Sequence, residues 1–162
     1  MLRPALSQIT EAEESGRRPT LCSNAAVDAV AAHYDAEARR HGIEMRWRLE
    51  LPEEAPVPEI DLCSVLGNLV ENAIEAVSTA EDAARWVEVV AQEVTPEVVG
   101  ITVRNPLAAP VTFGDNGLPA ADRPGHGVGL ASVRSVAERH GGALDVHVEG
   151  GEFQAGVVLF HK

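Results

Sequence analysis

Asn68 and Asn72 stand four apart inside an apolar-periodic run from Ile60 to Val77, so a helix through that run projects both carboxamides from one face, one turn apart. Two amides so placed suit a hydrated Mg²⁺ and a phosphate oxygen, because magnesium keeps most of its waters and takes few oxygen ligands from protein. Asn72 is the expected metal ligand. Further along, Gly125-His126-Gly127-Val128-Gly129-Leu130 sets three alternate glycines before a predicted helix that ends at His140. Glycines let a backbone come close to a phosphate and turn its N–H groups toward it, and a helix N-terminus favours an anion. The two motifs thus read as halves of one nucleotide site, with Asn68, Asn72, Gly125, His126, Gly127, Gly129 and Leu130 as its phosphate end.

The surrounding text is specific where the short motifs are not. The stretch from Asp61 to Ala76, with Asn68-Leu69-Val70-Glu71-Asn72-Ala73-Ile74-Glu75-Ala76 at its heart, closely resembles the N box of the GHKL ATP-binding superfamily, which includes gyrase, the heat-shock chaperone, histidine kinases and the mismatch-repair ATPase. Its ending is most similar to sensor histidine kinases that respond to peptides and cell-wall signals. Asn24-Ala25-Ala26-Val27-Asp28-Ala29-Val30 and His41-Gly42-Ile43 resemble the first helix and its exit in that group, so the likeness runs from about Cys22 to Phe160.

The chain departs from the family pattern at one place. Most histidine kinases carry an Asp-x-Gly-x-Gly box at a strand end, where the carboxylate accepts a hydrogen bond from the adenine amino group. Here the strand from Val99 to Arg104 runs into Asn105-Pro106. The peptide-sensing subgroup has a similar asparagine, and an amide oxygen accepts the same bond without a charge. A competing triplet, Asp115-Asn116-Gly117, is also an ordinary turn signal and precedes Leu118-Pro119. The resemblance favours Asn105 over Asp115 for adenine.

Composition agrees and sets limits. The 162 residues form one domain with a real core, and the formal net charge of -12 disfavours nucleic acid and anionic membrane as partners. No apolar run approaches the ~20 residues that span a bilayer. Cys22 and Cys63 lie far apart without metal-ligand spacing and read as small buried thiols of a reducing cytosol. Residues 1–20 are expected to be a linker or the end of an upstream dimerisation helix, and 21–162 the catalytic domain.

These motifs need elements to hold them. A helix is predicted from Asn24, as its N-cap, to Arg40, with Gly42 as its stop. Ile43 to Leu49 alternates as a strand with one wet face, the proline-laden stretch from Leu51 to Pro58 is a loop, and a helix runs from Ile60 to Ser78. Trp86 to Gln92 and Val98 to Arg104 read as a hairpin joined at Thr95-Pro96-Glu97, and the chain closes on a second hairpin, Ala143 to Glu149 and Phe153 to Phe160. That order fits a two-layer α/β sandwich, the Bergerat type that the resemblance implies, with a mixed, mainly antiparallel sheet and three helices on one face. Residues 106–124, rich in proline and glycine and poor in apolar anchors, occupy the place of the family's ATP lid. They are expected to be mobile until nucleotide orders them.

The other polar residues have two readings each. Glu71 suits a catalytic base or a carboxylate that orients a neighbour. Glu75 shares its helix. His33 reads as a surface or half-buried residue of the first helix, and Arg104 and Arg123 flank the lid, where they could neutralise phosphate although most exposed arginines do not. The resemblance implies the ATP-binding catalytic domain of a two-component sensor histidine kinase, cytoplasmic and part of a membrane-anchored bacterial sensor. Its cofactors would be ATP and Mg²⁺. It would pass the γ-phosphate to a histidine on a dimerisation helix outside this chain, and a response regulator would follow as partner. A serine kinase of the anti-sigma-factor type and a non-catalytic GHKL-fold interaction domain share the same residues and stand as alternatives.

Overall fold

The computed structural model describes residues 19–79, 84–107, 109–120 and 128–161. Expectations that fall on Gly125, His126, Gly127, Arg123 and the segment before Pro19 lie outside them.

Helix α1 spans Ala25–Arg40, and its start is built by two side chains. Asn24 Oδ1 accepts from the N–H of Val27 at 3.1 Å, the N-cap bond that satisfies one of the helix's orphan donors. Asp28 in the first turn accepts from the backbone of Leu21 and Cys22 and ties the entering chain down. Strand β1 (Glu44–Glu50) follows, then α2 (Glu59–Ser78), the hairpin of β2 (Trp86–Thr95) and β3 (Val98–Pro106), helix α3 (Val128–Arg139), and the hairpin of β4 (Ala143–Glu149) and β5 (Glu152–Phe160).

The sheet has the order β1-β2-β3-β5-β4. Only β1 and β2 run parallel, joined through α2, and the remaining pairs are antiparallel. Alternation decides which face each residue serves. Val87, Val89 and Ala91 on β2, Val99, Ile101 and Val103 on β3, and Phe153, Ala155, Val157 and Leu159 on β5 are all buried. They form one face, and the helices pack on it: α2 over β2 and β3, α3 over β4 and β5, α1 against β1. Helix α2 lies at the centre because its apolar positions, Leu62, Val65, Leu66, Leu69, Val70, Ala73, Ile74 and Val77, make a stripe wide enough to meet sheet and both flanking helices. The expected two-layer sandwich, mixed and mainly antiparallel with helices on one face, is the observed one.

Two details differ from the sequence reading. Strand β3 does not stop at Arg104 but takes in Asn105 and Pro106, paired with Phe153 and Glu152 of β5. Pairing to β2 ends at Arg104, so beyond that point β3 is an edge on that side, where proline is tolerated. The region expected to lack anchors also contains a closed turn. Phe113 and Pro119 form a β-bridge, Gly114 N–H bonds to the carbonyl of Leu118 at 2.8 Å, and the Leu118 side chain is buried in the core. Among the described residues no helix is long and apolar enough to cross a membrane.

Candidate functional site

Helix α2 presents Asn68 and Asn72 half-buried on one flank. The amide of Asn68 is oriented by its own helix, since Nδ2 donates to the carbonyl of Ser64 at 2.8 Å. Its oxygen faces the start of α3: a Cβ built on Gly129 would stand 3.3 Å from Asn68 Oδ1. The last glycine of the alternate-glycine motif therefore sits against the first asparagine of the pair. Gly129 leaves room for that amide; a larger residue would push on it. Leu130, the next residue, is buried in the core, so what it can offer a phosphate is its backbone N–H in the first turn of α3, not its side chain. Among the described residues the amide of Asn72 makes no hydrogen bond, which leaves it available.

Asn105 lies at the inward-facing end of β3, on the side covered by α2, and is 1% exposed. Its Nδ2 donates to the carbonyl of Pro106 at 2.9 Å, and its buried Oδ1 has no partner among the described residues. An acceptor left unmet in a protein interior costs on the order of 1–3 kcal/mol. A ligand that brings an N–H to this point removes that cost, and the exocyclic amino group of adenine is such a donor. The residue chemistry fits a nucleotide here. Asp115, the rival, is exposed on the turn after the sheet and takes no part in the strand end.

Glu71 stands on the other flank of α2. The ring of Tyr34 from α1 packs over Gly67, and burial, followed by the charges of Glu71 and Glu37, pushes the Tyr34 phenol above its ordinary range. Gly67 and Glu71 thus share the stripe that meets α1, whereas Asn68 shares the stripe that meets α3. Glu71 is exposed there, as is Glu75. Arg104 follows the plainer of its two readings. Its neighbours Val103 and Asn105 point inward, so it points outward, where its guanidinium bonds to Glu88 at 3.0 Å and to Glu152 and lies 5.3 Å from the Trp86 ring centroid. Bound on the open face of the sheet, it is not placed to neutralise phosphate. His33 is a surface residue of α1 beside Glu37, as expected. Cys22 and Cys63 are free thiols, and burial, then Glu59, raises the pKa of Cys63.

Two contacts escaped the sequence reading. Asp61, in the first turn of α2, accepts from His140 Nε2 at 2.8 Å and from Arg139 at 3.1 Å, clamping the start of α2 to the end of α3. His140 is buried, and the clamp helps set the angle at which Asn68 meets Gly129. An acid near a helix start and bases near a helix end are each favoured by the helix dipole. That tendency was the one available signal, and it names no partner. The second contact joins Arg134 of α3 to the backbone of Asn116.

No curated protein matched the chain. Among solved structures, the nucleotide-free catalytic domain of histidine kinase ThkA superposes with a TM-score of 0.64 at 17% identity, over 85% of this chain and 91% of that one. Histidine kinase AdeS from Acinetobacter baumannii gives 0.63 at 16% identity, over 97% and 75%. Full-length ShkA gives 0.58 at 24% identity, over 85% of this chain and 30% of that one. At these identities the likeness is one of fold, and the fold is that of sensor histidine kinase catalytic domains. The family profile described as GHKL domain matches residues 58–159, from the start of α2 to the end of the sheet. The chain, with its paired asparagines, its glycine motif and its helix-on-sheet sandwich, belongs to the GHKL family.

Proposed function

We propose that this domain binds Mg·ATP and serves as the catalytic domain of a sensor histidine kinase. The observation that carries the reading is Oδ1 of Asn105, buried and without a hydrogen-bond partner among the described residues, an acceptor that suits the adenine amino group. In support, ShkA, which has the same fold, forms a complex with AMPPNP, an ATP analogue.

Asn105 accepts from the adenine amino group, with its orientation set by the Pro106 carbonyl. Asn72 ligates Mg²⁺ through its amide oxygen, and Asn68, whose Nδ2 is committed to Ser64, offers Oδ1 to a metal-bound water. The backbone N–H groups of Gly129 and Leu130 face phosphate at the start of α3, joined by Gly125, His126 and Gly127 of the same motif. Mg·ATP supplies a γ-phosphoryl group whose transfer needs positioning and charge neutralisation far more than covalent help from protein. Glu71, on the α1 flank, is assigned to orienting that flank and not to proton transfer. The acceptor is a histidine on a dimerisation helix outside this chain, a response regulator is the onward partner, and the domain works on the cytoplasmic side of its sensor.

Calorimetric titration of the chain with AMPPNP, with and without Mg²⁺, tests this. Saturable binding that vanishes when the metal is chelated is the expected result. Absence of binding under both conditions would favour a GHKL-fold interaction domain that has lost its nucleotide.

A further inference from the structure

The Asp115-Asn116-Gly117 triplet, the rival to Asn105 for adenine, has a partner of its own. The turn that holds it is closed from within: Gly117 N–H bonds to the Gly114 carbonyl at 3.0 Å, Gly114 N–H to the Leu118 carbonyl at 2.8 Å, and Leu118 N–H to Asn116 Oδ1 at 3.0 Å. None of these bonds uses the carbonyl of Asn116. That carbonyl accepts instead from Arg134 Nη1 of α3 at 2.7 Å. Gly117 adopts φ +79°, a left-handed conformation that suits glycine, and a Cβ there would stand 3.7 Å from Arg134 Nη2. The guanidinium therefore lies beside a residue with no side chain, in a bond whose charged donor makes it stronger than a neutral one. In sequence, Asn116 and Arg134 bracket the Gly125–Leu130 motif, so their contact ties the chain on one side of that motif to the helix on the other.

We propose that Arg134 is a positioning residue for nucleotide binding, holding the Gly114–Leu118 turn on α3 before any nucleotide arrives. The proposal rests on the Mg·ATP reading above. Its physical content is preorganisation: Leu118 anchors the turn in the core from below, Arg134 holds it from the side, and ordering of this segment is then not charged to the nucleotide. Arg134 touches no phosphate in this account and acts only through the turn.

The test measures amide hydrogen exchange and Mg·AMPPNP affinity on the full chain, in wild type, Arg134→Ala, Arg134→Lys and Gly117→Ala. In Arg134→Ala the turn amides of Gly114, Gly117 and Leu118 should exchange faster without nucleotide. Affinity should fall on the order of tenfold, the scale of one charge-assisted hydrogen bond, while the melting temperature stays near wild type. Arg134→Lys keeps a charged donor and should restore part of both. Gly117→Ala, strained at its φ of +79°, should loosen the turn and reproduce the loss with Arg134 intact, and carries the test if Arg134→Ala fails to fold. Turn exchange unchanged in Arg134→Ala, or faster exchange with undiminished affinity, overturns the proposal. A wild type that binds no AMPPNP sinks the nucleotide reading itself, an outcome distinct from a wild type and a variant that bind equally well.

Discussion

The candidate site is built from two regions that prepare their asparagines in different ways. On α2, Asn68 and Asn72 stand half-buried at a helix surface, one amide held by Ser64 and the other unbonded, so water can satisfy both before a ligand comes. At the end of β3, Asn105 is buried on the face that α2 covers, and its oxygen has no hydrogen-bond donor among the described residues. The helix end of the site waits at little cost to folding, whereas the strand end stores an unmet hydrogen bond that only a donor of the right shape can relieve. Stability and binding should therefore respond together at Asn105 and separately at Asn72.

The largest effect is expected on the helix side. Asn72→Ala should weaken Mg·ATP binding on the order of a hundredfold, the upper range for losing a group that organises a metal, with the apo melting temperature unchanged. Calorimetry beside a thermal melt reads both. A variant that binds normally, or one that unfolds, makes the amide structural.

Asn105→Leu sharpens the contrast. Removing a buried acceptor that has no partner should leave apo stability unchanged or raise it by about 1 kcal/mol, while nucleotide affinity falls on the order of tenfold. A chemical denaturation curve with an unchanged slope would show the first, and a titration the second. Loss of stability instead would mean that the bond to Pro106 outweighs the unmet oxygen.

Gly129→Ala probes the seam between the motifs. The new methyl would stand 3.3 Å from Asn68 Oδ1, so the amide must give by a few tenths of an ångström. Helix α3 gains up to about 1 kcal/mol of intrinsic propensity by the same change, so apo stability should hold while Mg·ATP affinity falls severalfold. Equal affinity would show that Asn68 has slack.

The smallest effect separates the two flanks of α2. Tyr34 is the chain's single tyrosine, so phenolate absorbance during alkaline titration reports it alone. Its pKa is raised, first by burial and then by Glu71 and Glu37. A raised folded-state value stabilises the fold fully below the unfolded pKa, about 10, and that contribution is lost as pH climbs through the folded value. Glu71→Gln should move the phenol's midpoint down toward its ordinary value and leave Mg·ATP affinity intact. A large loss of affinity would restore Glu71 to the nucleotide site.

These contrasts also explain what could be read from sequence. The α2 stripe and the asparagine spacing are local, and the helix conveys them directly; the same holds for the N-cap at Asn24 and the hairpin at Thr95-Pro96-Glu97. Strand order was not local: nothing in the text says that β5 inserts between β3 and β4. For Arg104 the plainer reading is the one alternation supports, since the pattern that turns Val103 and Asn105 inward turns Arg104 outward. The Asp61–His140 contact, 79 residues apart, depends on how two helix ends meet and has no sequence pattern. The 106–124 segment looked unanchored because one buried side chain, Leu118, is enough to fasten a turn that closes its own hydrogen bonds.

The central claim is that Asn105 Oδ1 reads the adenine amino group, and a double-mutant cycle between protein and ligand tests it most directly. Affinities of wild type and Asn105→Leu would be measured for Mg·ATP and Mg·ITP, whose base carries an oxygen where adenine carries the amino group. Wild type should prefer ATP on the order of tenfold or more, and the preference should disappear in Asn105→Leu, because the discriminating bond is gone from both sides of the comparison. A preference of the same size in wild type and variant would contradict the account, and would place adenine recognition elsewhere in the domain.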